Sequence, residues 1–220
     1  RARFRNAEYA KAVESRDTAK QRKLVLEAAK AAGYDIGPLF HGVAAGPNSD
    51  FTVFDKAQTE HNVFYFAENR EYAEFMQNEA KMSGLARVIE ANVKAEKLID
   101  LTQFGERTTK DLVDSHLKKL GIDIGSKPDE RSGIPVPLYW IVQDRFREMK
   151  RDGFDGVKFH EYADDIEGNL RERDVAYAIF APEQIKSAEP ITRDDKGNVI
   201  PLSERFDDVE EDIRFMAQEE

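Results

Sequence analysis

Leu39-Phe40-His41-Gly42 and Phe64-Tyr65-Phe66-Ala67, a little over twenty residues apart, are the stretches whose reading decides the fold. Each sets a polar ring inside an apolar segment of period two, where a purely structural strand would carry another Val or Ile. The second string runs into the helix-like Glu71-Tyr72-Ala73-Glu74-Phe75. A third segment, Arg171-Glu172-Arg173-Asp174, leads directly into the β-patterned Val175-Ala176-Tyr177-Ala178-Ile179-Phe180 and the turn Pro182-Glu183-Gln184. A histidine, a tyrosine and a carboxylate on three strands suit a nucleotide cleft.

Outward from these strings the chain alternates helices with short strands. The first thirty residues read as helical, stopped by Gly33. Turn signals at Gly37-Pro38 and Gly46-Pro47-Asn48-Ser49-Asp50 bracket the His41 strand. The pattern predicts helices over about 70–82, 106–120 and 138–149 and strands over 86–93, 157–159 and 174–180. Residues 126–137 and 164–173 read as loops, with His160-Glu161 in a loop as well. The order is not βαβ and no solenoid period is present, so the expectation is an α+β fold with mostly antiparallel pairing. Three parts are expected: a helical cover over 1–36, a catalytic domain over 37–190, and a tail or linker over 191–220, partly docked through Phe206.

The chain has 220 residues, a net charge of -10, 35% charged and 40% hydrophobic residues, and no cysteine. This is enough for one well-cored soluble domain. The acidic balance disfavours nonspecific nucleic-acid binding, which needs a basic surface. Lack of cysteine excludes disulfides, thiolate metal sites and cysteine nucleophiles, and makes a reducing cytoplasm the simplest address. No apolar run reaches a membrane span and no signal peptide opens the chain. It begins at Arg1 without methionine, which reads as a piece of something longer. His116 and His160 have no partner at metal-ligand spacing, so no metal is expected. Phosphate loops, dinucleotide fingerprints, nucleophile elbows and His-Glu-x-x-His are missing.

The ordered combination of His41, Tyr65 and an acid, with these flanks, resembles the His-Tyr-Glu branch of the ADP-ribosyltransferase fold. More closely it resembles the ADP-ribosyltransferase domains of polyvalent proteins of phages and conjugative mobile elements. The resemblance also takes in Phe51-Thr52-Val53-Phe54-Asp55, Asp155-Gly156-Val157, Phe180 through Ser187 and the tail from Asn198 to Phe215. It implies a split β-sandwich flanked by helices. It also implies transfer of ADP-ribose from NAD to a macromolecular acceptor, a protein rather than a nucleic acid, with release of nicotinamide. Mono-transfer is favoured over polymer synthesis, and delivery into a recipient cell is an accompanying expectation.

By the same resemblance, His41 would hydrogen-bond the adenosine ribose and the Gly42 backbone would pair with the nicotinamide amide. Tyr65 would stack on the nicotinamide ring, with Phe75 closing a sandwich. Asp174 would stabilise the cationic sugar, helped by Glu172. Singly, each residue has an ordinary structural reading: a strand histidine, a core aromatic, a solvated loop edge. The acid departs from the family pattern: with Pro182-Glu183-Gln184-Ile185 as anchor, the usual glutamate falls on Ala176, and Asp174 stands two residues earlier on the same face. Val43 replaces a usual threonine, and Asn62-Val63 replace a glycine. Two alternatives stay open: a silent binding module of this fold within a larger protein, and an NAD glycohydrolase.

Overall fold

The computed structural model describes residues 5–46, 50–80, 84–105, 107–125, 133–161, 174–206 and 211–215. The chain opens with two helices, α1 (Asn6–Glu14) and α2 (Thr18–Ala31), where the sequence suggested one helical run. The break has a local cause: Arg16 adopts a positive φ of 55°, and the Asp17 carboxylate accepts the Lys20 backbone N–H at 3.0 Å, capping α2. Leu24, Val25, Ala28 and Ala29 form the buried stripe of α2.

Strands follow as β1 (Ile36–Ala44) and β2 (Phe64–Ala67), then helix α3 (Arg70–Ala80), β3 (Leu85–Val93) and β4 (Leu98–Asp100). The middle of the chain holds a two-stranded ribbon, β5 (Arg107–Thr108) with β6 (Val136–Pro137), and helices α4 (Lys110–Lys119), α5 (Leu138–Gln143) and α6 (Phe146–Arg151). β7 (Gly156–Glu161), β8 (Asp174–Ile179) and β9 (Ile185–Ser187) complete a seven-stranded sheet in the order β4-β7-β8-β2-β1-β3-β9. Every pairing is antiparallel except β4 with β7. The fold is therefore α+β with a mostly antiparallel sheet flanked by helices.

Period-two alternation sends the central strands' side chains to two cores. One face collects Leu39, Val43, Phe64, Phe66, Ile89, Tyr177 and Ile179 around Phe54. The other sets Val63, Val157, Phe159, Ala176 and Ala178 against Leu117, Ile141 and Phe146 from α4, α5 and α6. Phe40 and Ala67 continue that second face and pack under Tyr72 and Ala73 of α3. β7 and β8 approach closely at Gly156, where a Cβ would stand 2.8 Å from the Ala178 carbonyl oxygen, so the position excludes any larger residue.

Three further elements differ from the sequence reading. The helix expected over 138–149 splits into α5 and α6 at Asp144-Arg145, where Arg145 makes a bidentate pair with Asp114 of α4, both contacts at 2.7 Å. The helix expected from 106 starts at Lys110 because Arg107-Thr108 pair with β6. The strand expected over 157–159 runs on to Glu161, as the ladder with β8 continues through His160↔Val175 to Glu161↔Asp174. Of the loops expected over 126–137 and 164–173, residues 126–132 and 164–173 lie outside the described residues, and Val136–Pro137 pair as β6.

The C-terminal stretch is built into the fold. Leu202 and Phe206 are buried with Tyr9, Leu24 and Tyr34, and Ile213 joins the Phe54 core. The buried Lys186 ammonium donates to the carbonyls of Asp212 (3.1 Å) and Phe215 (2.8 Å). Arg205, 1% exposed, donates to the carbonyls of Ser187 (3.0 Å) and Glu189 (2.7 Å) and to the Tyr9 hydroxyl (3.4 Å). One guanidinium thus ties α1, the chain after β9 and the tail. Arg205→Ala leaves two buried carbonyls unpaired beside a cavity, and should destabilise by about 2 to 4 kcal/mol in urea unfolding. Arg205→Lys should recover less than half of this, because an ammonium cannot reproduce the planar fork.

Candidate active site

Of the residues singled out in the sequence, His41, Gly42, Tyr65 and Asp174 fall on three adjoining strands, β8-β2-β1, and the register decides which of them meet. Phe40 pairs with Ala67, Tyr65 with Ala178 and Ala67 with Ala176. Gly42, buried, is carried toward Tyr65 by the same ladder. Alternation puts Gly42, Tyr65, Ala176 and Asp174 on one face of the sheet and His41 on the other.

His41 accordingly lies with the Phe54 core. Its ring centre is 5.2 Å from that of Phe54 and 5.5 Å from that of Phe66. Nδ1 sits 2.7 Å from the Tyr65 carbonyl oxygen. A carbonyl only accepts, so Nδ1 carries a proton and donates to it. The histidine and the tyrosine are therefore joined through the Tyr65 main chain, while their side chains leave opposite faces.

Tyr65 is partly buried, its ring 6.2 Å from that of Phe146 in an edge-on arrangement, and its hydroxyl accepts from Gln143 Nε2 at 3.4 Å. Phe75 belongs to α3, where its ring lies 6.4 Å from that of Tyr72. Asp174 opens β8. Its Oδ2 accepts the Asn69 backbone N–H at 3.0 Å and its Oδ1 that of Val175 at 2.8 Å. It stands four residues from Ala178, the partner of Tyr65, roughly 13 Å along the strand. Glu172 lies outside the described residues.

The group beside Asp174 is one the sequence reading left in a loop. Glu161 ends β7 directly opposite Asp174. The two carboxyls point to the same face, above Phe159 and Ala176, and Tyr72 of α3 is close enough to feel both charges. Val157, Phe159 and Glu161 do alternate in the sequence, which was the available signal, but a three-residue strand hid it. Burial first, and the negative charge of Asp174 second, push the Glu161 carboxyl up to about 7. Burial also raises Asp174, against the pull of its two N–H donors. The Tyr72 hydroxyl is buried without a hydrogen-bond partner, and burial followed by the two carboxylates raises its pKa. Across the sheet, the Tyr177 hydroxyl donates to Glu68 Oε1 at 2.7 Å. Among the described residues no group of three or more His, Asp or Glu side chains is set to hold a metal ion, and no helix is long and apolar enough to cross a membrane.

The raised Glu161 pKa has a signed effect on stability. Between about pH 4.5 and 7 the folded chain holds a proton that the unfolded chain has released. Stability is thus fully present below pH 4.5 and declines as pH rises through 7, by at most about 3 kcal/mol. Glu161→Gln should therefore be more stable than the parent by about 1 to 3 kcal/mol at pH 8. Most of that advantage should be gone at pH 5, as read by urea unfolding at the two pH values.

Compared with known protein families, residues 36–193 match the family described as ADP-ribosyltransferase in polyvalent proteins. The match begins at the first residue of β1 and runs past β9, so it covers the whole seven-stranded sheet. No curated protein and no solved structure matches the chain. With well over half its length inside that match and the strand carrying His41 leading a mostly antiparallel sheet, the chain belongs to the ADP-ribosyltransferase family of polyvalent proteins.

Proposed function

We propose that this domain breaks the nicotinamide–ribose bond of NAD and transfers ADP-ribose, one unit at a time, to a macromolecular acceptor. The observation that carries the reading is the family match over the sheet, together with Gly42, Tyr65 and Asp174 sharing one face of it. As part of a polyvalent protein, the domain would work within a longer polypeptide. A net charge of -10 favours a protein acceptor over a nucleic acid.

In this reading the C1′–N bond breaks with its electron pair leaving on nicotinamide, which neutralises the pyridinium. The sugar passes through an oxocarbenium-like state that a nearby carboxylate stabilises, as in glycoside cleavage. Tyr65 offers a ring face held by Phe146 and Gln143, and Gly42 offers main chain without a Cβ. Asp174 supplies the negative charge. The acceptor's nucleophilic atom then bonds to C1′ and loses its proton to a carboxylate or to water. His41, bonded through Nδ1 to the Tyr65 carbonyl, supports the nicotinamide-facing main chain from behind, a different part from the ribose contact expected of it.

A second reading, a silent module that binds a nucleotide or a partner, draws on two observations. Ala176 stands where the family's glutamate is expected, and the His41 ring is turned into the Phe54 core. NAD hydrolysis without an acceptor is a variant of the first reading.

Nicotinamide release from NAD, with and without cell lysate, separates these readings. The transferase reading expects release stimulated by lysate, lowered at least about 100-fold by Asp174→Ala and by Tyr65→Ala. It also expects Tyr65→Phe, which keeps the ring face and loses the hydroxyl that meets Gln143, to stay within about tenfold of the parent. Lysate-independent release would indicate a glycohydrolase, and no release under either condition a silent module.

A further inference from the structure

Five buried polar side-chain atoms among the described residues lack a hydrogen-bond partner, and one of them, the Tyr72 hydroxyl, sits over a pair of carboxyls. Tyr72 is 9% exposed and is held by Ala73, Phe40 and Ala67. The carboxyls arrive from different strands. Glu161 is the last residue of β7 and Asp174 the first of β8, and the ladder sets them opposite each other. Cross-strand neighbours stand about 4.5 to 5.5 Å apart at Cβ, a spacing at which like charges repel. The orphaned phenol lies within the field of two facing acids, on the sheet face that also carries Tyr65 and Gly42.

We propose that Glu161 is the second carboxyl of this site, a positioning residue that faces Asp174 across the β7–β8 ladder and takes up the proton Asp174 would otherwise have to carry. This rests on the transferase reading above and deepens it. The Ala176 position offers no acid, and a lone Asp174 at the strand end is raised toward its neutral form by burial. With Glu161 beside it, one proton and one negative charge are divided over the two groups, and Asp174, which also accepts the Asn69 and Val175 N–H bonds, keeps the charge. The groups whose charge or dipole acts on the pair are Tyr72 from α3, on the same face, and Glu68, just after β2, with His160 of β7. Glu68 and His160 act on Asp174 with opposite signs. When positive charge develops on the sugar, the pair can shed its proton and present two carboxylates. The shed proton passes to water, while nicotinamide leaves as the neutral base with the electron pair of the broken bond.

The test follows side-chain carboxyl resonances of the whole chain by carbon-detected NMR, beside the pH dependence of nicotinamide release. In the parent, a glutamate carboxyl should titrate near pH 7 and vanish in Glu161→Gln. Asp174→Asn should move it down by a unit or more, and Tyr72→Phe should shift it measurably. Release should rise through pH 7 in the parent, and Glu161→Gln should flatten that rise while changing the KM for NAD less than about threefold. Titration of Glu161 below pH 5.5, indifference to Asp174→Asn, or an unaltered pH profile in Glu161→Gln would each overturn the proposal. A parent that releases no nicotinamide would sink the transferase reading alone, since the carboxyl titrations still decide whether the two acids act as a pair.

Discussion

The antiparallel ladder of β8, held between β2 and β7, is the constraint on which the rest of the molecule depends. It pairs Ala67 with Ala176 and Tyr65 with Ala178 on one side, and Phe159 with Ala176 and Glu161 with Asp174 on the other. A shift of one residue would exchange the two cores, sending Tyr177 and Ile179 under α5 and α6 and Ala176 and Ala178 toward Phe54. The small residues of β8 face the helices, and the large ones meet the phenylalanines on the opposite face. Volume therefore sets the register, and the register sets the site.

The surroundings of Asp174 follow from where that ladder ends. Inside the ladder every backbone group is paired, so a carboxyl there has few donors. At its ends, main-chain N–H groups such as those of Asn69 and Val175 become available to an acid. Asp174 exploits this, whereas position 176, two residues inward, carries alanine packed under the helices. The strand end also sets Asp174 opposite Glu161, and both carboxyls act on the Tyr72 hydroxyl. The same faces separate His41 from Tyr65, leaving the main chain between them as their link.

Several elements were readable from residues alone. His41 and Tyr65 each sit in alternating apolar segments, and both segments are strands. The α3 and α4 stripes recur at helical spacing, and the ordered strings pointed to the family that the comparison then showed. Less was legible where tertiary contacts override local pattern. Residues 138–149 have no helix breaker, yet Arg145 turns aside to meet Asp114 on a different helix. His160-Glu161 look like loop because they are polar, yet backbone pairing with β8 extends the strand through them. Arg205 and Lys186 look like surface charges and are buried, because they satisfy carbonyls brought together from distant parts of the chain.

What the sequence by itself determined was the alternation, the element types and the family, since each depends on spacing within a few residues or on the order of short strings. What only the tertiary structure decided was company: which face each ring takes, that His41 backs the strand whose front carries Tyr65, and that Asp174 meets Glu161 and Tyr72. Faces are fixed by register between strands far apart in the chain, and register is chosen by the volumes that must fill two cores at once. No local stretch contains that information.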